Sequence, residues 1–271
     1  MTVVQALVLG IIQGLTEFLP ISSSAHLTLA PWVFHWTDPG LEFDVALHIG
    51  SLIAVLWYFR AEWARLAEAA WGIVRRGGRV QSPEELRVVL LIIATIPGAI
   101  AGVLLEKRAE DTFRSPLLIA GTLSVMGVLL WAVDKWAPAD RSMERLGVMD
   151  AIWIGLAQIL ALVPGVSRSG STITAGRALK LDRESAAVFS FLISMPIIAG
   201  AGLHKLPHLL KAGITAPIAT GVIAAAVSSW FAIAVVLRYV KTHSYGVFAL
   251  YRVLLAAAVV ALWFSRAGAG A

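Results

Sequence analysis

Between positions 13 and 26 the chain reads Q-G-L-T-E-F-L-P-I-S-S-S-A-H, which places an amide, a carboxylate, three consecutive hydroxyls and an imidazole in sequence that is otherwise strongly apolar. Gln13 and Glu17 are four residues apart and share one helix face. Pro20 ends that helix, and the run Ser22-Ser23-Ser24 can cap the next one, leaving backbone N–H groups aimed at the break. His26 then falls in the first turn of the new helix. A charged group within a membrane span costs about 2.5–3.5 kcal/mol, so an intramembrane Glu with polar neighbours marks a site.

A second polar stretch, P-G-V-S-R-S-G-S-T at 164–172, supplies what the first lacks. Its glycines and serines allow a tight backbone nest, a helix expected from about 172 to 179 presents its N-terminus, and Arg168 adds a planar cation. Together these describe a phosphate cradle. Glu17 beside it could coordinate a hard divalent cation or take a proton from a hydroxyl or water. Magnesium needs only one or two carboxylates when substrate phosphates supply the remaining oxygens, and a diphosphate does so. A Ser hydroxyl or His26 could then attack the outer phosphorus, with Arg168 and the metal holding the spreading charge.

Blander readings stand beside these. Glu17 and Arg168 could form a purely structural pair, His26 could be a satisfied buried histidine, and the serines could be caps and packing residues. His48 reads as structural, with Asp44 four residues earlier as its partner. Gly10, Gly14, Gly98 and Gly102 fit close helix packing, and His204 and His208 read as loop residues at the interface beside Lys205.

The elements that must position these groups are membrane helices. Of the 271 residues 58% are hydrophobic and 14% charged, against about 25% charged in an average soluble domain, and the mean hydropathy is +0.80. The absence of cysteine removes disulfides, zinc–thiolate sites and cysteine nucleophiles. A net charge of +5 could suggest nucleic acid, but the Lys and Arg residues fall mostly in short loops between apolar runs, where they serve topology, and no nucleic-acid partner is expected. The apolar start has no basic residues ahead of it and no small-residue cleavage site, so it reads as mature protein rather than a signal peptide. There is no G-x-x-x-x-G-K-[ST], no H-E-x-x-H and no Asp-x-Asp pair, and after Arg168 the next histidine is His204. P-loop, zincin, aspartyl-phosphate and phosphatidic-acid-phosphatase chemistries are thereby set aside.

Six apolar runs, at roughly 44–59, 87–105, 116–133, 186–203, 216–237 and 247–265, are long enough or nearly so to cross about 30 Å of hydrocarbon. Segments 1–35 and 150–180 are apolar helices interrupted by proline and polar residues, and are expected to form re-entrant hairpins. They resemble each other: Gly10 onward and Gly155 onward share Gly, Gln, Leu, Pro and Ser in order. The expected architecture is one all-α membrane domain over residues 1–271, with six transmembrane helices and two re-entrant hairpins in an inverted-topology repeat, the first repeat about 1–135 and the second about 150–266. Placing the loop 60–87 in the cytoplasm gathers most of the 22 Lys and Arg on that side, including Arg177, Arg183 and Arg252. It leaves Lys107, Arg108, Arg114, Lys205, Lys211 and Arg266 opposite, and the Glu17 hairpin opening outward.

With Q-G-L-T-E followed by F-L-P-I-S-S-S-A-H and, further on, P-G-V-S-R-S-G-S-T, together with F-D-V-A-L-H-I-G-S-L, essentially the whole chain resembles the bacitracin-resistance type of undecaprenyl-diphosphate phosphatase. The resemblance implies removal of the terminal phosphate from a C55 polyprenyl diphosphate, which recycles the carrier lipid for cell-wall synthesis and confers bacitracin resistance. It further implies a Mg²⁺ or Ca²⁺ requirement, a bacterial plasma (inner) membrane location with the site open to the periplasm, and homodimers. By the same resemblance Glu17 is the essential carboxylate and metal ligand, with Gln13 beside it where a second Glu is common. Ser23 and His26 take nucleophilic or acid–base positions, Ser22, Ser24, Ser167, Ser169 and Thr172 line the phosphates, and Arg168 binds them. Ser24-Ala25 stands where Thr-Gly is common. The competing class is a transporter or flippase of the same lipid, which an inverted repeat with a midplane site suits equally.

Overall fold

A computed structural model describes residues 1–112, 115–213 and 215–269. Among them are eleven α-helices and no β-strand. In chain order these are α1 Val3–Phe18, α2 Ser23–Phe34, α3 Leu41–Tyr58, α4 Arg60–Arg75, α5 Pro83–Thr112, α6 Pro116–Trp136, α7 Val148–Ile159, α8 Arg168–Ala178, α9 Arg183–Ala212, α10 Ala216–Val240 and α11 Gly246–Ala269. Among the described residues five stretches are long and apolar enough to cross a membrane: Pro83–Leu105, Pro116–Trp136, Arg183–His204, Ala216–Val240 and Gly246–Arg266. Helices α3 and α4 form a pair bent by 81° that makes a sixth if counted as one span. The apolar runs read from the sequence thus all lie on helices. His204 is on α9 rather than in a loop. Arg114 lies outside the described residues, as do the side chains of Lys107, Arg108, Lys205, His208 and Lys211.

Local chemistry sets the helix ends. The start of α1 is closed by a reciprocal pair, with Gln5 N donating to Thr2 Oγ1 at 3.2 Å and Thr2 N donating to Gln5 Oε1 at 2.9 Å. Proline then stops it, because Pro20 has no N–H to continue the ladder. Glu62 on α4 and Arg76 just after its end pair with Arg87 and Glu85 of α5, which fastens this less apolar helix to its neighbour.

Small residues allow the short approaches that hold the bundle together. Helix α1 packs on α10 and α3, and α7 packs on α5. A Cβ on Gly14 would meet Ala225 O at 2.5 Å, and one on Gly155 would meet Ala94 O at 2.6 Å, so both broken segments approach a neighbouring long helix through glycine. Helix α8 is the most polar helix of the interior, yet Ser169, Ser171, Thr172, Thr174 and Arg177 are all buried on it. The hydroxyls of Ser171, Thr172 and Thr174 bond back along the helix, as Thr174 Oγ1 does to Gly170 O at 2.6 Å, so these buried donors are satisfied.

Arg177 is not a loop cation. It is almost wholly buried and donates from Nε to Asp134 Oδ1 at 2.9 Å, while its fork also donates to Ala137 O and Pro138 O. Arg183 Nε and Tyr245 N donate to the same carboxylate at 2.8 and 2.9 Å. One buried carboxylate therefore ties α6, α8, α9 and the start of α11 together at one end of the bundle, every charge in it paired.

Candidate active site

The two broken segments are built alike. Ser22, just before α2, has φ 76°, and Ser167, just before α8, has φ 73°. Backbone of that kind is costly for a residue with a Cβ and persists only where its surroundings enforce it. Each serine then caps its helix: Ala25 N donates to Ser22 Oγ at 3.4 Å and Gly170 N to Ser167 Oγ at 3.1 Å. Each also exchanges a 3.2 Å bond with the serine two residues on, Ser24 and Ser169. The segments are stitched to each other as well, since Gly165 N donates to Ser22 Oγ at 3.2 Å and Ser169 Oγ donates to Leu19 O at 3.0 Å. Two helix N-termini are thereby fixed side by side, and the first N–H groups of each have no partner within their own helix.

Glu17 sits at this junction, with its side chain 4% exposed. Arg168 donates to its Oε1. Its Oε2 accepts from Ser23 Oγ at 2.6 Å and from Gln13 Nε2 at 3.0 Å, and His48 Nε2 lies 3.4 Å away. Arg168 is also held at Ser194 O on α9, at 3.2 Å. Gln13 is backed by Ser51, which in turn accepts from Ser229 of α10 at 2.9 Å. The carboxylate from the first segment and the guanidinium from the second are in direct contact, as a shared site requires.

Not every hydroxyl named in the sequence faces that junction. Ser22 and Ser169 spend theirs on the links between segments, and Ser167 caps α8. Thr172 donates to Arg168 O at 2.7 Å and shares a 2.7 Å bond with Ser190. Ser23 and Ser24 are the more open pair, both partly exposed. His26 is turned away from Glu17: Nδ1 donates to Ser22 O at 2.7 Å, and Nε2 is 2.7 Å from the hydroxyl of Tyr251, whose ring stacks on the imidazole.

The imidazole beside the carboxylate is His48 instead. Its Nδ1 donates to the backbone oxygen of Asp44 at 2.7 Å, which aims Nε2 at Glu17. Asp44, His48 and Ser51 fall at i, i+4 and i+7, a polar stripe on an otherwise apolar helix, and that spacing was the available signal. Arg252, assigned by charge counting to the cytoplasmic side, is a correction: it is fully buried between the two breaks.

The donor set suits a hard cation. The side-chain oxygen of Gln13 is buried and has no hydrogen-bond partner among the described residues, while its Nε2 donates to the Glu17 carboxylate that also accepts from Ser23; amide, carboxylate and hydroxyl oxygens are ligands of the kind magnesium and calcium take. Among the described residues there is no cluster of three His, Cys, Asp or Glu side chains that could bind a metal without help. Substrate oxygens would have to complete any coordination here.

Comparison with known proteins gives the same direction. The family model described as bacitracin resistance protein BacA matches residues 6–258. The chain belongs to that family. A protein of Gemmatimonas aurantiaca named undecaprenyl-diphosphatase is 60% identical over 267 residues, covering 98% of this chain and 100% of the relative. Proteins of the same name from Moorella thermoacetica and Geobacter sulfurreducens are 51% and 48% identical, each across 98% of this chain and the whole relative. The junction of Glu17 and Arg168 therefore lies in a chain whose family includes relatives named undecaprenyl-diphosphatase.

Proposed function

We propose that this chain hydrolyses undecaprenyl diphosphate to undecaprenyl phosphate and inorganic phosphate in the bacterial plasma membrane. The observation that carries this reading is the contact of Glu17 with both Arg168 and Ser23, which puts a base, a cation and a hydroxyl at one point between two helix N-termini. Full-length relatives named undecaprenyl-diphosphatase support the substrate. Recycling of the carrier lipid and resistance to bacitracin follow from that activity.

Ser23 is the hydroxyl best placed to attack the outer phosphorus. Its Oγ forms the new bond to phosphorus, its proton passes over 2.6 Å to Glu17 Oε2, and the anhydride P–O bond breaks to release the lipid monophosphate. Glu17 passes that proton to the departing lipid phosphate and is again a carboxylate; it then deprotonates the water that cleaves the phosphoserine, and the proton returns to Ser23 Oγ as phosphate leaves. Arg168 and the N–H groups at the starts of α2 and α8 hold the charge on the phosphoryl oxygens. Both nitrogens of His26 are occupied, so its place in the reaction is to hold the first turn of α2. Glu17, Gln13 Oε1 and Ser23 Oγ are the groups that would hold Mg²⁺ or Ca²⁺, and that cation supplies charge neutralisation on the diphosphate when bound.

The membrane arrangement we infer is six crossings, by α3, α5, α6, α9, α10 and α11, with α1–α2 and α7–α8 as re-entrant hairpins in inverted repeats over about 1–135 and 150–266. It is supported by the matched backbone of the two breaks and by the matched pairs α1 on α10 and α7 on α5. The Lys and Arg distribution favours a site opening to the periplasm. A homodimer is part of the proposal.

Purified protein in detergent, with no membrane to transport across, is expected to release phosphate from a polyprenyl diphosphate when Mg²⁺ or Ca²⁺ is supplied. No release with either ion would reject hydrolysis and leave the transporter reading, which the paired hairpins also suit.

A further inference from the structure

Arg252, which lies outside both breaks, bonds to each of them. It lies on α11, is fully buried, and donates from Nη1 to Pro20 O at 3.0 Å, from Nη2 to Gly165 O at 2.7 Å and Val166 O at 3.0 Å, and from Nε to Leu123 O on α6 at 3.2 Å. Its partners are all backbone carbonyls and no carboxylate pairs with it among the described residues, unlike Arg177 and Arg168. A planar five-donor fork is what such a set of acceptors requires, and an ammonium could not span it. The guanidinium also underlies α8: a Cβ added to Gly170, in the first turn of that helix, would come within 2.7 Å of Arg252 Nη1.

Ser22 and Ser167 are both held in costly backbone conformations, and the carbonyls at Pro20, Gly165 and Val166 that Arg252 grips flank those two residues. A buried cation without a counter-charge is expensive, and it becomes less so when an anion binds nearby.

We propose that Arg252 is a positioning residue for phosphoryl transfer: it locks the spacing of the two helix N-termini and places an unneutralised charge beneath the bound diphosphate. This rests on the hydrolytic reading above. The lysine variant keeps the charge and loses the fork, whereas the glutamine variant loses both, so the two parts of the role separate. A shift of one N-terminus by about 1 Å is enough to lower turnover about 100-fold.

The test uses the full chain in detergent, with folding followed by size exclusion and thermal melting, turnover of a polyprenyl diphosphate, and binding of inorganic pyrophosphate by calorimetry. Arg252→Lys is expected to lose about 30-fold or more in kcat per folded molecule while pyrophosphate affinity stays within about threefold. Arg252→Gln is expected to lose the same turnover and about tenfold in pyrophosphate affinity as well. Gly170→Ala, which leaves Arg252 in the chain but crowds its Nη1, is expected to lower kcat about tenfold or more. Folded Arg252 variants with parental kcat and parental pyrophosphate affinity overturn the proposal. If neither Arg252 variant folds, Gly170→Ala decides it, and parental kcat and affinity there overturn it. If the parent itself releases no phosphate, the hydrolytic reading falls separately, and unchanged pyrophosphate binding in Arg252→Gln still overturns the charge half of the proposal.

Discussion

Replacing Glu17 with Gln should tighten the binding of a bare anion while stopping turnover. In the structure Arg168 is committed to Glu17 Oε1, so a phosphate must compete with a carboxylate for the guanidinium. A hydrogen bond to a charged group contributes about 1.5–3 kcal/mol. Releasing Arg168 from it, and removing a negative charge next to the anion, predicts metal-free pyrophosphate binding about 10- to 150-fold tighter. The same substitution leaves a guanidinium with only 15% of its side chain exposed facing an amide. Breaking a buried pair costs up to about 3–5 kcal/mol, and the amide oxygen recovers part of this, so a lower melting temperature is expected. Loss of the base on Ser23 lowers kcat by about 10²–10⁴. Calorimetry with pyrophosphate and a chelator, beside phosphate release with Mg²⁺, reads both effects. Unchanged or weaker pyrophosphate binding in a folded Glu17→Gln protein would refute the idea that Glu17 holds Arg168 ready for phosphate.

Three further outcomes follow from other contacts. Ser23→Ala should abolish the phosphoserine trapped by rapid quench of the parent, and should reduce kcat at least about 100-fold with little change in the melting temperature, because Ser23 is partly exposed and makes one side-chain bond. Asp134→Asn should lower stability by about 3–5 kcal/mol, read by thermal melting, because it leaves Arg177 buried without its carboxylate, while the folded fraction keeps the parental KM. Gly14→Ala puts a Cβ 2.5 Å from Ala225 O and 2.6 Å from Ser229 N, so α1 must shift away from α10. A loss of about 1–3 kcal/mol in stability is expected, with a drop in kcat because Gln13 and Glu17 move with the helix.

The polar stretches were legible because polar groups are so costly in an apolar chain that their presence needs a reason. Glu17 and Arg168 stood out by type alone, and the match between the two segments brought them together before any distance was known. The start of α8 was placed four residues late, at about 172, whereas the helix begins at Arg168, with Ser167 as its cap. What charge and spacing could not convey was direction. Ser22 and Ser169 look like phosphate ligands beside Ser23, yet their hydroxyls serve the links between segments. His26 looked like the imidazole of the site until Tyr251, 225 residues away, was found to hold it. His48 and Arg252 were discounted by rules that describe averages: a histidine four residues after an aspartate reads as paired, and an arginine near the start of an apolar run reads as a topological signal. Arg252 sits on the seventh residue of α11, inside the membrane-spanning stretch, and an ionisable residue in that place is a site hypothesis in its own right.

The central claim is that one site, made by both broken segments, holds the diphosphate. A crystal or cryo-EM structure with a polyprenyl diphosphate analogue and Mg²⁺ tests it most directly. The outer phosphate is expected on Arg168 between the first turns of α2 and α8, with Ser23 Oγ within about 3.5 Å of the phosphorus. A diphosphate bound elsewhere, with Arg168 still paired to Glu17, would contradict it.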